Sequence, residues 1–104
     1  MTSADLAYSP AIEVLQLFKK RKLSPLELLK IMIERAGKLN GKINCLADCY
    51  FEEALAKAKI AEQAYASRGS SPRPLAGVPL IVTVATPRKD KRTTNGSILL
   101  ATNI

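Results

Sequence analysis

Apolar positions in the first part of the chain recur at helical spacing. Ser9 is a good N-cap and Pro10 suits a first helical position, where its missing N–H costs nothing. The apolar stripe that follows consists of Ala11, Val14, Leu15 and Phe18. This spacing predicts a first helix that starts at Ser9 and ends in a basic last turn, Lys19 to Lys22.

A second helix has the clearest start signal. Ser24-Pro25-Leu26-Glu27 is a capping box with proline in the first helical position. Glu34 and Lys38 form an i, i+4 pair on its outer face, and Asn40-Gly41 is predicted to end it. Its predicted buried face consists of Leu28, Leu29, Met32, Ile33 and Ala36.

The middle of the chain predicts a short strand, a helix and a loop. Ile43 to Cys49 is a short mixed run that could form the strand. The third helix is predicted from about Phe51 to Ser67, with Glu53 and Lys57 as another i, i+4 pair. Gly69 to Pro74 is a loop by composition. One narrow, alanine-rich helix face consists of Phe51, Ala54, Ala58, Ala61 and Tyr65, so a neighbour must approach it closely.

The last part of the chain changes from helical to continuous apolar patterning. Leu80 to Val84 has no polar alternation, which is typical of a strand buried on both faces of a parallel or mixed sheet. Ile98 to Ala101 is a second, smaller apolar group. A doubly buried strand needs neighbours on both edges, so the pattern predicts the first part of a larger α/β domain with an incomplete sheet.

Composition narrows the chemistry. The chain has 104 residues, the size of one small domain, and it contains no histidine and two cysteines. These counts exclude histidine metal sites, Ser-His-Asp triads and a disulfide framework. Cys45 and Cys49 are predicted to be buried or half-buried thiols, and no metal or cofactor is expected.

The net charge of +7 comes from two short runs, Lys19 to Lys22 and Arg88 to Arg92, outside which acidic and basic residues balance. Neither run is interleaved with aromatic residues, so both are predicted to be solvated faces and neither nucleic acid nor lipid is expected as a partner. The apolar stretches are too short to span a membrane, and Met1 to Tyr8 lacks a signal-peptide core. A reduced, cytoplasmic setting is therefore expected.

Several short motifs together indicate a family. They are Leu23 to Leu28 ("LSPxEL"), Glu34-Arg35 followed by Asn40 and Ile43-Asn44, Glu53-Ala54-Leu55 with Ala58, Leu75 to Leu80 ("L.GVP") and Thr93 to Ser97 ("TT.GS"). In this order and spacing they resemble the N-terminal region of the amidase signature family, which includes bacterial amidases and one of the subunits of the glutamyl-tRNA amidotransferase. The resemblance implies N-terminal helices plus the first strands of a mixed sheet. Residues 1–104 are then a partial domain with a helical layer at 9–68, a loop at 69–74, and a strand and following loop at 75–104.

The resemblance also implies a mechanism for complete members, which hydrolyse amides with a Ser–cis-Ser–Lys triad. The family's lysine lies in the pattern "GVPxxVKD", where this chain has Thr83, with Val84 at the following Asp position. A threonine hydroxyl cannot act as the base. Lys89-Asp90 does not replace the pair, because the spacing from the motif to Thr93 is the family's own.

The serines of the triad are expected downstream of Ile104, whereas Ser70 and Ser71 precede the "GVP" motif and are interpreted as loop residues. No intact catalytic site is therefore predicted, and the chain is interpreted as a truncated, inactive relative of these hydrolases. Its expected partners are a second copy or a complementary amidase fragment. The alternative is a small stand-alone helical module that binds another protein or self-associates.

Overall fold

Helices dominate the computed structural model, which describes residues 3–67, 71–83 and 85–104. The elements are α1 (Ser3–Ala7), α2 (Ala11–Lys19), α3 (Pro25–Ile43), α4 (Phe51–Ala66) and a 3₁₀ turn (Ile98–Leu100). α3 packs against both α1 and α4. Arg35 of α3 secures the α1 side, because its guanidinium donates to the Tyr8 hydroxyl and lies 4.6 Å from the centre of the Tyr8 ring.

The start of α2 corrects the predicted cap. Pro10, not Ser9, occupies the N-cap position, and its carbonyl accepts from the Val14 N–H at 3.1 Å. Ser9 instead closes the preceding helix, since its hydroxyl donates to the Asp5 carbonyl at 2.9 Å. The sequence analysis did not predict the short helix α1. The Ser9 hydroxyl, which was predicted to cap α2, binds a carbonyl of α1 instead.

The start of α3 is confirmed and its end is corrected. Ser24 Oγ accepts from the Glu27 N–H at 3.0 Å, and Pro25 is the first helical residue. The helix continues past the predicted stop at Asn40-Gly41 to Ile43, and Asn44 ends it with a left-handed φ of 54°. The Asn40 side chain binds both backbone groups of Leu46, accepting at 2.8 Å and donating at 3.2 Å, so it folds the following loop back instead of ending the helix.

The α/β fold class and the mixed sheet are not borne out. The structure has no strand anywhere in residues 3–67, 71–83 and 85–104, and the fold it describes is helical. Ile43 to Cys49 comprises the end of α3 and a loop. Residues 80–83 of the predicted buried strand have no regular secondary structure and pair with no neighbouring strand, and Val84 lies outside the described residues. A strand needs a partner that accepts and donates backbone hydrogen bonds, and the described chain supplies none there.

α4 confirms the predicted third helix, and Ser67 is its C-cap. Ala58, central in the alanine-rich face, is buried, as the required close approach predicts. The predicted ion pairs on the outer faces are also formed, with Glu34 3.0 Å from Lys38 and Glu53 3.2 Å from Lys57.

The core lies between α2, α3 and α4 and is thin. Its buried members are Val14, Phe18, Leu23 and Leu28, with Leu6, Leu15, Leu17, Met32 and Tyr65 packed around them. Met32 is only half-buried, and so are Leu29, Ile33 and Ala36 of the predicted α3 face. The Cα radius of gyration is 15.5 Å, larger than the roughly 13 Å of an ordinary domain this long, so the layer is extended rather than closed around a centre.

Candidate functional site

The Gly77-Val78-Pro79 motif follows directly on a residue that Tyr65 of α4 ties to the helical layer. The Tyr65 hydroxyl donates to the Ala76 carbonyl at 2.7 Å, and the Tyr65 ring lies 5.4 Å from that of Phe18. Gly77 has φ +88°, and a Cβ there would come within 2.7 Å of Pro25 Cγ. Only glycine fits this approach, because both the left-handed backbone and the space exclude a side chain. The motif therefore has a fixed place on the core.

Burial raises the pKa of the Tyr65 phenol above its usual value. The neutral hydroxyl is the form that donates to Ala76, so the shift and the hydrogen bond favour the same protonation state. Tyr65 is thus a structural anchor for the motif, joining the end of α4 to the loop before Gly77.

After Pro79 the chain leaves the helical layer. Leu80 and Ile81 are 83% and 77% exposed. Thr83, at the position where the resemblance to the family implies a lysine, is exposed, and its carbonyl accepts from the Thr86 N–H at 3.1 Å. The hydroxyl oxygens of Thr83 and Thr86 are 3.0 Å apart and share a hydrogen bond. This pair supplies neither a base nor an enclosed environment.

Lys89 and Asp90, the alternative pair, are exposed in a second turn, where the Lys91 N–H donates to the Arg88 carbonyl at 3.2 Å and Asp90 has φ 60°. Ser71 is exposed in the loop before the motif, while Ser70 lies outside the described residues. The structure therefore does not bring the candidate residues Thr83, Lys89 and Ser71 together into a catalytic arrangement.

The "TT.GS" motif forms a tight turn that sequence analysis did not anticipate. Asn95 and Gly96 have φ 49° and 73°, and the Ser97 N–H donates to the Thr94 carbonyl at 2.9 Å. Two consecutive positive φ values are the requirement of a type I′ turn, which Asn-Gly favours. The Asn95-Gly96 dipeptide was the signal in the sequence from which this turn could have been predicted.

Glu53, at the start of α4, collects several cationic side chains. Lys91 Nζ lies 2.6 Å from Oε2, Lys57 Nζ lies 3.2 Å from Oε1, and Arg88 Nη2 lies 3.9 Å from Oε1. Hydrogen bonds from Lys91 and Lys57 lower the pKa of Glu53 to about 2. The Tyr50 ring adds a cation–π contact, with Lys91 Nζ 4.2 Å from its centre.

Asp48 binds Arg92, the residue that follows Lys91 in the second basic run. Its two carboxylate oxygens accept from Arg92 Nη2 at 2.7 Å and Nε at 3.2 Å, and Arg92 Nη1 donates to the Ala101 carbonyl at 2.7 Å. The hydrogen bond from Arg92 lowers the pKa of Asp48, and the same bond raises the pKa of Arg92. The guanidinium thus joins the loop before α4 to the turn after the 3₁₀ element.

The two basic runs therefore differ. Lys19 to Lys22 is exposed, as predicted for a solvated face, whereas Lys91 and Arg92 of the second run make intramolecular contacts. Sequence analysis missed this pairing, because the partners Asp48 and Glu53 lie far upstream and no local spacing connects them.

Cys45 and Cys49 are free and exposed, which corrects the expected half-buried thiols. They lie in the loop after α3, in the segment where the predicted short strand is not formed. Within the described residues no cluster of three or more metal-ligating side chains occurs. None of the helices in the described part of the chain combines the length and apolar character that a membrane span needs.

The amidase family matches this chain over residues 27–104, a range that contains Thr83, the Gly77-Val78-Pro79 motif and the Thr93 to Ser97 turn. The chain belongs to the amidase family. A putative amidase from Schizosaccharomyces pombe is 36% identical to this chain over 72 residues. A putative amidase from Synechocystis is 32% identical over 80 residues. These matches cover 69% and 75% of this chain but 14% and 16% of the relatives' own lengths. No solved structure matches the chain.

Proposed function

We propose that these 104 residues are a catalytically incomplete member of the amidase family that does not hydrolyse amides alone. The observation that carries the proposal is Thr83, an exposed hydroxyl where the family resemblance places the catalytic lysine. A lysine serves as a base only when it is buried and neutral, and a threonine hydroxyl has no equivalent titration.

The neighbourhood of Thr83 supports this proposal. Its hydroxyl is hydrogen-bonded to Thr86, and the Lys91 ammonium, in the basic run that follows, is paired with Glu53. The relatives' names give amide hydrolysis as the class of reaction, and the chain spans a small part of their lengths. In the terms of this proposal the 104 residues by themselves are a pseudoenzyme segment of a hydrolase family. Its free, exposed cysteines are consistent with the cytoplasmic setting that we propose for it.

The direct test is release of a coloured aryl amine from a simple anilide and of ammonia from a primary amide. We expect no release above buffer from the wild-type chain, from Thr83→Lys or from Thr83→Ala, because restoring the lysine alone leaves out the serines. Thr86→Ala serves as the matched control that removes the neighbouring hydroxyl. Turnover that co-elutes with the wild-type chain and disappears in Thr83→Ala would overturn the proposal.

A second candidate function is that of an interaction module, and a specific observation favours it. Several large apolar side chains outside the helical layer are exposed: Leu75, Leu80, Ile81, Ile98, Leu99 and Ile104. A thin core with this much exposed apolar surface suits a chain that is completed by a second copy or by a complementary amidase chain.

Sizing combined with a thermal melt tests this candidate. An interaction module gives a defined oligomer with a cooperative melt, and Ile98→Ser with Leu99→Ser shifts it to monomer. Ile12→Ser is the control, because Ile12 is also a large apolar residue that is exposed, at 68%, but it lies on α2. A monomer whose size is unaffected by either change, or a broad melt with aggregation, contradicts the module.

A further inference from the structure

We propose that residues 88–103, here called the strap, are held on the start of α4 by charge and are released by salt or acid. Three basic side chains of the strap face two carboxylates of the upstream chain. Arg92 binds Asp48, while Lys91 and Arg88 approach Glu53. The inference stands whether or not the chain is catalytic.

Residues 93–103, which make up most of the strap, are closed on themselves. The Thr93 N–H donates to the Asn103 carbonyl at 2.8 Å, and the Asn103 side-chain amide donates to the Thr93 carbonyl at 3.0 Å. Arg92 adds a further bond across the same closure, since its guanidinium donates to the Ala101 carbonyl. Loss of the carboxylate contacts therefore frees the whole segment rather than a single side chain.

Apolar burial contributes little to the attachment. Ile98 and Leu99, adjacent in the strap, are 93% and 94% exposed, and only Thr93 is buried. The hydrophobic effect acts through buried apolar area, so it does not hold these side chains in place. The contacts that remain are ion pairs, with Lys91 22% and Arg92 43% exposed, and the cation–π contacts of Lys91 and Arg88 with the Tyr50 ring.

Such contacts respond to ionic strength. The screening length falls from about 10 Å at 0.1 M salt to about 3 Å at 1 M, and exposed ion pairs weaken accordingly. Acid acts on the same contacts by protonating the carboxylates. Glu53 faces Lys57 on its own helix and Lys91, Arg88 and the Tyr50 ring from elsewhere, while Asp48 faces Arg92.

Release changes what the chain presents. The docked strap holds the Asn95-Gly96 turn and the Ile98–Leu100 turn at one place on the surface. The released strap lets the exposed pair Ile98 and Leu99 reach other surfaces, including those of a second copy. The strap is thus a salt-dependent switch for the most exposed apolar part of the described chain.

Limited digestion with trypsin tests the proposal on the full chain, because trypsin cuts after the basic residues of both runs. The exposed run Lys19 to Lys22 is an internal reference for changes in the protease itself. We expect the rate of cutting at Lys91 and Arg92, relative to this reference, to rise about threefold to tenfold from low salt to about 1 M NaCl, the range for loss of exposed ion pairs. Mass spectrometry of the products identifies the sites.

Variants give a second arm. Asp48→Asn with Glu53→Gln should give the fast relative cutting already at low salt and remove its salt dependence. Glu34→Gln is the matched control, because Glu34 pairs with Lys38 within α3 and not with the strap. Lys57→Gln controls for the helix, since it removes a partner of Glu53 and leaves the strap contacts. Circular dichroism verifies that the helices persist.

Two results would overturn the inference. One is a wild-type chain whose strap is cut as fast as the reference at low salt, including the case in which the chain is unfolded. The other is protection that is insensitive to salt in the wild type and unchanged in the doubly substituted chain.

Discussion

Asp48 and Arg92 are 44 residues apart in the sequence and meet through two parallel hydrogen bonds, 2.7 and 3.2 Å long. The third bond of the same guanidinium, to the Ala101 carbonyl, makes Arg92 a junction between two loops. A planar fork with several donors is required for this role, and lysine lacks it.

Arg92→Lys should therefore loosen the strap although it keeps the charge. We expect faster hydrogen exchange at the Thr93 amide, which lies beside the junction and bonds to Asn103. Native-state exchange followed by NMR measures this directly. Arg73→Lys, in the exposed loop before the motif, is the control and should leave Thr93 unchanged. Equal exchange in Arg92→Lys and the wild type would show that charge alone suffices.

Gly77→Ala should destabilise the chain strongly. A Cβ at this position meets Pro25 Cγ at 2.7 Å in addition to the left-handed backbone strain, which together predict a loss of about 2–4 kcal/mol. Gly96→Ala is the matched control, because Gly96 has φ +73° but nothing within 4 Å, so it should lose only about 1–2 kcal/mol. Urea denaturation measures both. Equal losses would mean that backbone strain, and not the contact with Pro25, is what matters.

Gly37→Ala should stabilise the chain, in contrast to Gly77→Ala. Gly37 is exposed in the interior of α3, and a Cβ there contacts nothing within 4 Å. Alanine should raise the free energy of unfolding by about 0.5–1 kcal/mol and the melting temperature by several degrees. A thermal melt monitored by circular dichroism provides the measurement, and a lower melting temperature would indicate an unrecognised contact at this face.

Tyr65→Phe should loosen the motif while preserving its packing on Phe18. The substitution removes the hydrogen bond to the Ala76 carbonyl, which predicts a loss of about 0.5–1.5 kcal/mol in urea denaturation. The raised pKa of Tyr65 predicts that this stability is present below pH 10 and is lost as the pH rises through the higher folded-state pKa. Tyr50→Phe keeps its ring contact with Lys91 and should have a smaller effect.

Acid should weaken the chain through Glu53. Because hydrogen bonds from Lys91 and Lys57 lower its pKa from 4.5 to about 2, its contribution is present above pH 4.5 and is lost as the pH falls through this window. Melting temperatures at about pH 5 and about pH 3 should differ more for the wild type than for Glu53→Gln. High salt should reduce the difference. An identical pH dependence in both chains would remove Glu53 from the explanation.

Local signals in the sequence predicted the helices well. The Ser24 capping box and the alanine face of α4 depend on residues a few positions apart, and both are confirmed. The predicted helix end at Asn40-Gly41 was wrong. The Asn40 side chain binds the backbone of Leu46 and does not end the helix. A dipeptide does not reveal which neighbour its amide will meet.

Contacts between segments far apart in the sequence could not be predicted from the hydrophobic and polar pattern. The strand at Leu80 to Val84 was predicted from apolar composition, but a strand forms only with a partner, which the described chain does not provide. The contacts from Asp48 and Glu53 to the second basic run join segments far apart in sequence. At the candidate site, the absence of a lysine at Thr83 is a prediction from the motif that stays untested, whereas the hydrogen bond of its hydroxyl with Thr86 and its exposure required coordinates.

The approach of Gly77 to Pro25 also restricts how the sequence can diverge. Any larger residue at 77 requires a smaller one at 25, yet Pro25 is the first residue of α3 and contributes to its start. Neither position is free to change first without loss of stability. Among descendants of this sequence the two positions should therefore either stay as they are or change together, and glycine with proline should be the pair that persists.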